Sequence, residues 1–250
     1  MRADLFRQAA KDRRILFNAW LTLNSPFLIE LIGKAGWDCL TIDQQHGLGG
    51  NDVLLACLTA ARASGLPAIV RVAENDPGLV GRALDAGAQG IMCPLIETVE
   101  DADAFVRAVK FPPRGSRSWG PYRAWLDVDG DYFTTANAFT IACPQIETKG
   151  ALEALEEILG LDGVDMICFG PNDLSMALTG RLDIWAPEVK EARELVLRKC
   201  RERGVMALIF ANDLDYAKPL VAEGWDLVAV GTDAGWFSKA AAETRRAAMT

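Results

Sequence analysis

The only histidine of the chain follows a short apolar segment that ends in an acid. His46 lies three residues after Asp43, which closes the apolar run 39–42. Imidazole is the one side chain whose ordinary pKa lies near neutrality, so His46 is the first candidate for a general base at neutral pH. A surface-loop histidine without a chemical role is the alternative that a single residue leaves open.

Two further acids stand just beyond the ends of later apolar runs. Glu147 follows the run 139–146, and Asp173 follows the next run, 164–169. Because neighbouring parallel strands lie about 4.8 Å apart, acids at their carboxyl ends can share one ion. Two carboxylates, with waters and substrate oxygens, suit Mg²⁺ or Mn²⁺ rather than a zinc site. The alternative is that both acids are helix N-caps or surface groups.

Two more features are suited to an anion. Arg71 stands in the run 68–72 where an apolar residue is expected, and a buried guanidinium needs an anionic partner. That partner is an oxyanion of a ligand or, alternatively, a carboxylate of the protein. The turn 170–173 leads into a helix whose free backbone N–H groups can hold a carboxylate or phosphate. An ordinary capping turn is the alternative there.

Eight apolar runs alternate with helical segments along the chain. The runs span residues 15–23, 39–42, 68–72, 90–94, 139–146, 164–169, 205–210 and 227–230. The main helical segments span residues 51–63, 77–86, 99–109, 151–159, 187–203 and 214–222. Near-continuous apolar strands alternating with helices predict a parallel sheet that is covered on both faces. We therefore predict one α/β domain over residues 1–250, a (β/α)8 TIM barrel whose reactive side chains stand at the carboxyl ends of its strands.

Composition narrows the class of protein. Half of the 250 residues are hydrophobic, and the formal net charge is −8 at pH 7. The excess of acids disfavours nucleic-acid binding, which depends on Lys and Arg at phosphates. No apolar run approaches the roughly 20 residues of a membrane span, and the first residues contain no apolar signal core. The six cysteines form no C-x-x-C pair, which indicates a reduced, cytoplasmic protein.

Several segments of the chain closely resemble the HpcH/HpaI aldolase family. They are residues 36–46, 87–98, 145–148, 169–175 and 228–233. The resemblance covers essentially the whole chain in collinear order. Members of the family are metal-dependent (class II) pyruvate aldolases with a TIM-barrel fold, and the resemblance implies the same fold and activity here.

The resemblance also implies a role for each of the residues at the strand ends. Glu147 and Asp173 match the metal ligands, with Mg²⁺ or Mn²⁺ expected and Co²⁺ as a further candidate. Gln145 and the backbone of Asn172 and Asp173 match contacts to the 2-oxo acid. Arg71 matches the group that stabilises the enolate oxygen.

A catalytic dyad is implied in the same way. His46 matches the catalytic base, and Asp43 occupies the position of its dyad partner. Asp85 matches an acid that raises the basicity of the histidine, but it lies near the end of its own helix, at the bottom of its barrel. We therefore expect Asp85 to act on His46 of a neighbouring subunit, in a homo-oligomer that the resemblance implies to be a hexamer with exchanged C-terminal helices.

The chain departs from the family at one position next to the histidine. The family usually carries Asp-x-Glu-His, whereas residues 43–46 read Asp-Gln-Gln-His. Gln45 removes a negative charge close to the expected metal and its waters. We expect a changed metal affinity, a changed pKa of a metal-bound water or a different preferred aldehyde, with no metal ligand lost.

The expected reaction is the reversible addition of pyruvate, or a related 2-oxo acid such as hydroxypyruvate, to an aldehyde. In reverse, a 4-hydroxy-2-oxo acid is cleaved. The cation polarises the ketone, His46 takes the C3 proton and Arg71 holds the enolate oxygen. We expect the aldehyde to lie against Trp20, Phe210 and the loop 112–125, which carries three arginines (Arg114, Arg117 and Arg123).

Three other functions stay open at this point. A Schiff-base aldolase would need a lysine at the barrel mouth, and Lys149, just past Glu147, comes closest. A lyase for citramalyl or malyl thioesters would need a coenzyme A site, for which no motif is visible. A catalytically silent barrel that binds oxo acids is the third, with Gln45 marking the lost activity.

Overall fold

The chain folds into a closed parallel barrel with the strand order β1-β2-β3-β4-β5-β6-β7-β8. The computed structural model describes residues 4–128 and 130–249. The strands are β1 Leu16–Leu21, β2 Cys39–Asp43, β3 Ala68–Arg71, β4 Gly90–Cys93, β5 Ile141–Ile146, β6 Met166–Phe169, β7 Met206–Ala211 and β8 Leu227–Thr232. Each predicted apolar run overlaps one strand, and the strands β2, β7 and β8 extend one or two residues beyond their runs, so the predicted TIM barrel is confirmed.

Helices surround the barrel and cover its outer face. They are α1 Asp4–Lys11, α2 Pro26–Lys34, α3 Asn51–Ala63, α4 Pro77–Asp85, α5 Val99–Val109, α6 Tyr132–Phe139, α7 Lys149–Glu153, α8 Leu155–Gly160, α9 Pro171–Thr179, α10 Pro187–Arg203, α11 Leu214–Glu223 and α12 Asp233–Ala247. A 3-10 turn, Ala124–Asp127, lies between α5 and α6. The helix predicted over residues 151–159 is in fact two helices, α7 and α8, which meet at Ala154. None of the described helices is long and apolar enough to cross a membrane.

Apolar side chains form two layers around the strands. One layer fills the barrel interior, where Phe6 of α1 packs with strand residues such as Leu16 and Ile69. The other lies between the strands and the surrounding helices. All six cysteines are free and buried, as expected for core residues. The barrel is therefore a packed core, and open space is left at its ends.

Local capping fixes where most strand-to-helix turns end. Six helices that follow a strand begin at a Ser, Thr or Asp whose side chain accepts a backbone N–H of the first turn: Ser25, Asp76, Thr98, Thr148, Asp213 and Thr232. The helices after β2 and β6 start instead at Gly50 and Gly170, without a side-chain cap. These two turns are the ones that carry His46 and Asp173.

The long connection between α5 and β5 lies at the opposite end of the barrel from the expected mouth. Our prediction that its residues 112–125 line the aldehyde site of the same barrel is wrong, because a segment that joins a helix to the next strand lies at the amino ends of the strands. Its arginines pair there with Asp162, Asp85 and Asp127, the partners of Arg114, Arg117 and Arg123 respectively.

The last helix leaves the surface of the barrel. At the start of α12, Asp233 is buried and Trp236 stacks on Trp37 with ring centroids 4.8 Å apart. From position 237 to position 249 every residue is exposed, including Phe237 with 73% of its surface accessible. Most of this helix therefore has nothing to pack against within its own chain.

Candidate active site

A cavity of about 260 Å³ opens at the carboxyl ends of the strands. Its lining comes from the carboxyl ends of β1, β2, β3, β5, β7 and β8 and from segments that follow β1, β2 and β6, and comprises Trp20, Thr22, Asp43, His46, Arg71, Gln145, Gly170, Pro171, Asn172, Asp173, Phe210 and Thr232. Nearly all the residues that were expected to carry chemistry therefore meet in one place. Asp85 and Glu147 are the two that do not line it, for different reasons given below.

Arg71 finds its anionic partner inside the protein. Asp43 and Arg71 are register partners on β2 and β3, and Arg71 donates from Nε to Oδ1 at 3.0 Å and from Nη2 to Oδ2 at 2.5 Å. Burial acts to raise the pKa of Asp43, but the hydrogen bonds and the charge of Arg71 outweigh it, and the pKa lies below its ordinary value. The salt bridge that was left open as an alternative therefore exists, and it places the guanidinium on the cavity wall.

Asp43 also organises the loop that carries His46. Its Oδ1 accepts the backbone N–H groups of Gln45 and His46 at 3.0 and 3.2 Å, and its carbonyl accepts Asn24 Nδ2 at 2.9 Å. The imidazole lies exposed on the cavity wall, and among the described contacts its ring makes no hydrogen bond to Asp43. Asp43 thus positions the histidine through its backbone, and its role as dyad partner stays a prediction.

Glu147 lies directly beneath the cavity with its carboxylate buried. Its Oε2 accepts Gln145 Nε2 at 2.6 Å, and its Oε1 accepts the backbone N–H of Leu95 at 2.8 Å. Burial raises the pKa of Glu147 to about 7, a rise that the Leu95 hydrogen bond opposes and the charge of Asp173 reinforces. Leu95 adopts a φ of 53°, a strained value for leucine, to direct its N–H at this carboxylate.

The surroundings of Glu147 and Asp173 fit a hard divalent cation. The two acids are close enough for the charge of Asp173 to raise the pKa of Glu147, an effect that the charge of Arg71 opposes. Gln145 Oε1 is buried without a hydrogen-bond donor. Among the described residues no group of three or more His, Cys, Asp or Glu could hold a metal. Two carboxylates with positions left for water and substrate are the donor set that Mg²⁺ or Mn²⁺ accepts.

Gly170 allows Glu147 to occupy its position. A Cβ added to Gly170 would lie 2.6 Å from Glu147 Oε2 and 2.8 Å from Gln145 Nε2. The φ of Gly170 is −100°, so the requirement for glycine is close approach rather than backbone conformation. This role of Gly170 was not predicted from the sequence, although a glycine at the turn after a strand was a visible signal.

The turn after β6 offers backbone rather than side-chain groups to a ligand. The side chain of Asn172 is engaged with Asn212 in a reciprocal amide pair with N–O distances of 3.2 and 2.9 Å. Helix α9 has no side-chain cap, so the N–H groups of its first turn have no local acceptor of that kind. This geometry is suited to a carboxylate, which agrees with the expected use of the backbone at Asn172 and Asp173.

Two aromatic residues form one wall of the cavity. Trp20 and Phe210 pack edge to face with ring centroids 5.1 Å apart. Trp20 is almost fully buried, and its indole Nε1 donates to Asp43 Oδ2 at 3.3 Å. Phe210 is more accessible, which leaves its ring for contact with a bound molecule.

Three remaining positions lie outside the cavity. Asp85 ends α4 at the amino side of the barrel and pairs with Arg117 at 2.8 Å, which is consistent with the expectation that it cannot reach His46 of its own chain. Gln45 does not line the cavity, and its Oε1 is buried without a donor. Lys149 is exposed and lies 3.9 Å from Glu153, and no lysine is among the residues that line the cavity.

Comparison with known proteins identifies the family of the chain. The sequence profile of the HpcH/HpaI aldolase/citrate lyase family matches residues 16–240. The chain is 32% identical over 245 residues to the hydroxypyruvate/pyruvate aldolase of Roseovarius nubinhibens, covering 96% of this chain and 95% of that protein. It is 35% identical over 242 residues to the 4-hydroxy-2-oxo-heptane-1,7-dioate aldolase of Klebsiella pneumoniae, covering 95% and 91%.

A solved structure extends the similarity to the whole fold. The crystal structure of a HpcH/HpaI aldolase/citrate lyase family protein from Burkholderia cenocepacia matches with a TM-score of 0.91 and 33% identity, covering 99% of each chain. Both sequence relatives given above are named aldolases, enzymes that make and break carbon–carbon bonds. This chain belongs to the HpcH/HpaI aldolase/citrate lyase family.

Proposed function

We propose that the protein is a class II, divalent-metal-dependent aldolase that adds pyruvate or hydroxypyruvate reversibly to an aldehyde and cleaves 4-hydroxy-2-oxo acids in the reverse direction. The observation that carries this proposal is that Asp173 and Arg71 line one cavity at the barrel mouth, with Glu147 buried near enough to both for their charges to act on it. An acid pair beside a guanidinium suits a 2-oxo acid, whose oxygens need both a cation and a hydrogen-bond donor.

Glu147 and Asp173 are the residues that would hold Mg²⁺ or Mn²⁺. When bound, such a cation polarises the 2-oxo group of the substrate and acidifies the hydrogens on C3. Gln145 orients Glu147 through its amide N–H and keeps its own Oε1 available for a donor in the site. The first turn of α9 offers N–H groups for the carboxylate of the substrate.

Two other side chains take up the C3 proton and stabilise the charge that develops on the enolate oxygen. His46 at the rim accepts the C3 proton, directly or through one water. Arg71 stabilises the negative charge that develops on the enolate oxygen, and Asp43 holds the guanidinium in place for this role. The aldehyde then meets the nucleophilic carbon beside Phe210, the more accessible of the two aromatic residues on the cavity wall.

Metal removal tests the proposal. We expect EDTA to lower pyruvate formation from a 4-hydroxy-2-oxo acid by at least about a hundredfold, and Mg²⁺ or Mn²⁺ to restore it. The wild-type metal-loaded enzyme should also exchange the C3 protons of pyruvate with D₂O, followed by NMR. Borohydride with pyruvate should leave activity intact, because no lysine lines the cavity.

Other outcomes would point to the other functions. Activity that resists EDTA but is lost to borohydride would indicate a Schiff-base enzyme. Cleavage restricted to citramalyl or malyl thioesters would indicate a thioester lyase. Binding of pyruvate without exchange or cleavage under any metal would indicate a silent oxo-acid-binding barrel.

We further propose that the working unit is a homo-oligomer, a hexamer by family resemblance. Two features support association: the exposed length of α12, and the exposed aromatic residues Trp119, Tyr122 and Trp125 close to Asp85 at the amino end of the barrel. In such an assembly Asp85 of one subunit acts on His46 of another.

Subunit mixing tests the role of Asp85. We expect the variants Asp85→Ala and His46→Ala to be weakly active alone. Mixed by co-expression, they should regain about a quarter of wild-type activity, because random pairing completes one site in four. The double variant co-expressed with an inactive single variant is the control and should show no recovery. A fully active monomer in sedimentation experiments would contradict the proposal.

A further inference from the structure

One side of Arg71 is held by a residue that the proposed reaction does not use directly. Trp20 lies on β1, where it is register-paired with Thr41 of β2 and Thr232 of β8. Its side chain is buried, with 3% of its surface accessible. The guanidinium carbon of Arg71 lies over the indole, 4.8 Å from the ring centroid. A cation at this distance over a tryptophan face is attracted to it, and more strongly where water is excluded.

The same indole also reaches the acid that pairs with Arg71. Trp20 Nε1 donates to Asp43 Oδ2, the oxygen that also accepts Arg71 Nη2. Asp43 therefore binds one edge of the Arg71 guanidinium. Trp20 contacts the face of the guanidinium and also donates a hydrogen bond to Asp43. Two of the five N–H donors of Arg71 are used by Asp43, which leaves the others for a ligand in the cavity.

We propose that Trp20 is a positioning residue for Arg71. Trp20 fixes the plane of the guanidinium, so that the free N–H groups of Arg71 point to the place where negative charge develops. This inference rests on the proposed aldolase function. Donors that are held in place before the reaction stabilise a developing oxyanion better than mobile ones. Trp20 would then influence the enolate more than the ground-state 2-oxo acid, and would do so without any aldehyde present.

Two substitutions separate the contributions of the indole. Trp20→Phe keeps an aromatic face under Arg71 and removes the N–H donor, whereas Trp20→Leu removes both. The assay is exchange of the C3 protons of pyruvate with D₂O in the metal-loaded enzyme, without aldehyde. We expect Trp20→Leu to lower the kcat for exchange by about 30-fold and Trp20→Phe by less than about 5-fold, with KM for pyruvate changed less than about 3-fold.

Ligand affinity provides a second readout that does not depend on turnover. Oxalate resembles the planar, negatively charged enolate of pyruvate. Calorimetry should show that Trp20→Leu weakens oxalate binding by about 10-fold or more while pyruvate binding changes much less. Trp185→Leu removes a tryptophan that packs on Tyr216 outside the cavity and serves as the matched control, with exchange and oxalate binding unchanged.

A double-mutant cycle shows whether Trp20 acts through Arg71. In an Arg71→Lys background, Trp20→Leu should have almost no further effect on exchange, because lysine lacks the planar group that the indole orients. Equal loss in both backgrounds would overturn the inference. So would unchanged exchange combined with a raised KM for the aldehyde, which would make Trp20 an acceptor-binding residue. Absence of exchange in the wild-type enzyme with every metal would instead contradict the proposed aldolase function.

Discussion

Glu147→Gln is expected to abolish metal-dependent cleavage and, at the same time, to make the metal-free protein more stable above neutral pH. An amide cannot supply the negative charge that a divalent cation needs, so activity should fall by at least about a thousandfold. Pyruvate formation at saturating Mg²⁺ or Mn²⁺ measures this loss. Glu153→Gln, at an exposed position on α7, is the control and should retain full activity.

The stability gain follows from the direction of the pKa shift. Burial raises the pKa of Glu147 from 4.5 to about 7 in the folded chain. Below the pKa that Glu147 has in the unfolded chain, its carboxyl is protonated in both the folded and the unfolded chain, so it costs no stability in that pH range. As pH rises from the unfolded to the folded pKa, the unfolded chain loses its proton first. The free energy of unfolding therefore falls, by about 3 kcal/mol in total.

The free energy of unfolding of the Glu147→Gln variant does not fall in this way, because its amide does not titrate. Its side chain can still accept the N–H of Leu95, and, once the Gln145 amide turns over, its new N–H₂ group can donate to Gln145 Oε1, which has no donor in the wild-type chain. Urea unfolding with EDTA should show similar stability for variant and wild type near pH 4.5, and a more stable variant at pH 8. A variant that is less stable than wild type at pH 8 would contradict the buried, uncompensated carboxylate described for this site.

Gly170→Ala is expected to remove metal binding while leaving the barrel folded. The backbone at this position suits alanine, but the new methyl group would lie 2.6 Å from the Glu147 carboxylate and 2.8 Å from the Gln145 amide. At least one of them must move, which displaces either the carboxylate or the amide that orients it. We expect Mn²⁺ affinity to fall by about 100-fold and stability by about 1–3 kcal/mol, as for other overpacked sites.

Mn²⁺ binding followed by electron paramagnetic resonance measures the effect of Gly170→Ala, and circular dichroism measures the fold. Gly160→Ala at the end of α8 is the matched control, because a Cβ there meets nothing within 4 Å. Wild-type Mn²⁺ affinity in the Gly170→Ala variant would show that Glu147 does not need its present position to hold a metal.

The barrel was predictable because each strand is buried on both faces and therefore reads as an apolar run. Polar residues at the ends of those runs were visible for the same reason, which is how Asp43, Arg71 and Glu147 stood out. What the sequence could not indicate is which of these residues pair. The bond between Asp43 and Arg71 depends on the register of β2 with β3, a long-range property.

Two other features needed the structure for different reasons. The role of Gly170 arises because β6 lies beside β5 and brings the glycine against Glu147. The αL conformation of Leu95 has no sequence signal, since leucine rarely adopts it. The wrong prediction for the loop 112–125 could have been avoided from the sequence. The loop lies between a helix and the next strand, which already indicated the amino end of the barrel.

The amide pair between Asn172 and Asn212 bears on how the enzyme could be re-engineered for other aldehydes. It joins the turns after β6 and β7, so random replacement of either residue would disconnect two turns at once and disturb the neighbouring Asp173. A library aimed at new acceptors is better placed across the opening, in the loop 44–48, with His46 unchanged because it is the proposed base. Gly47 should be kept constant there, since a Cβ at that position would collide with the backbone of Asp43.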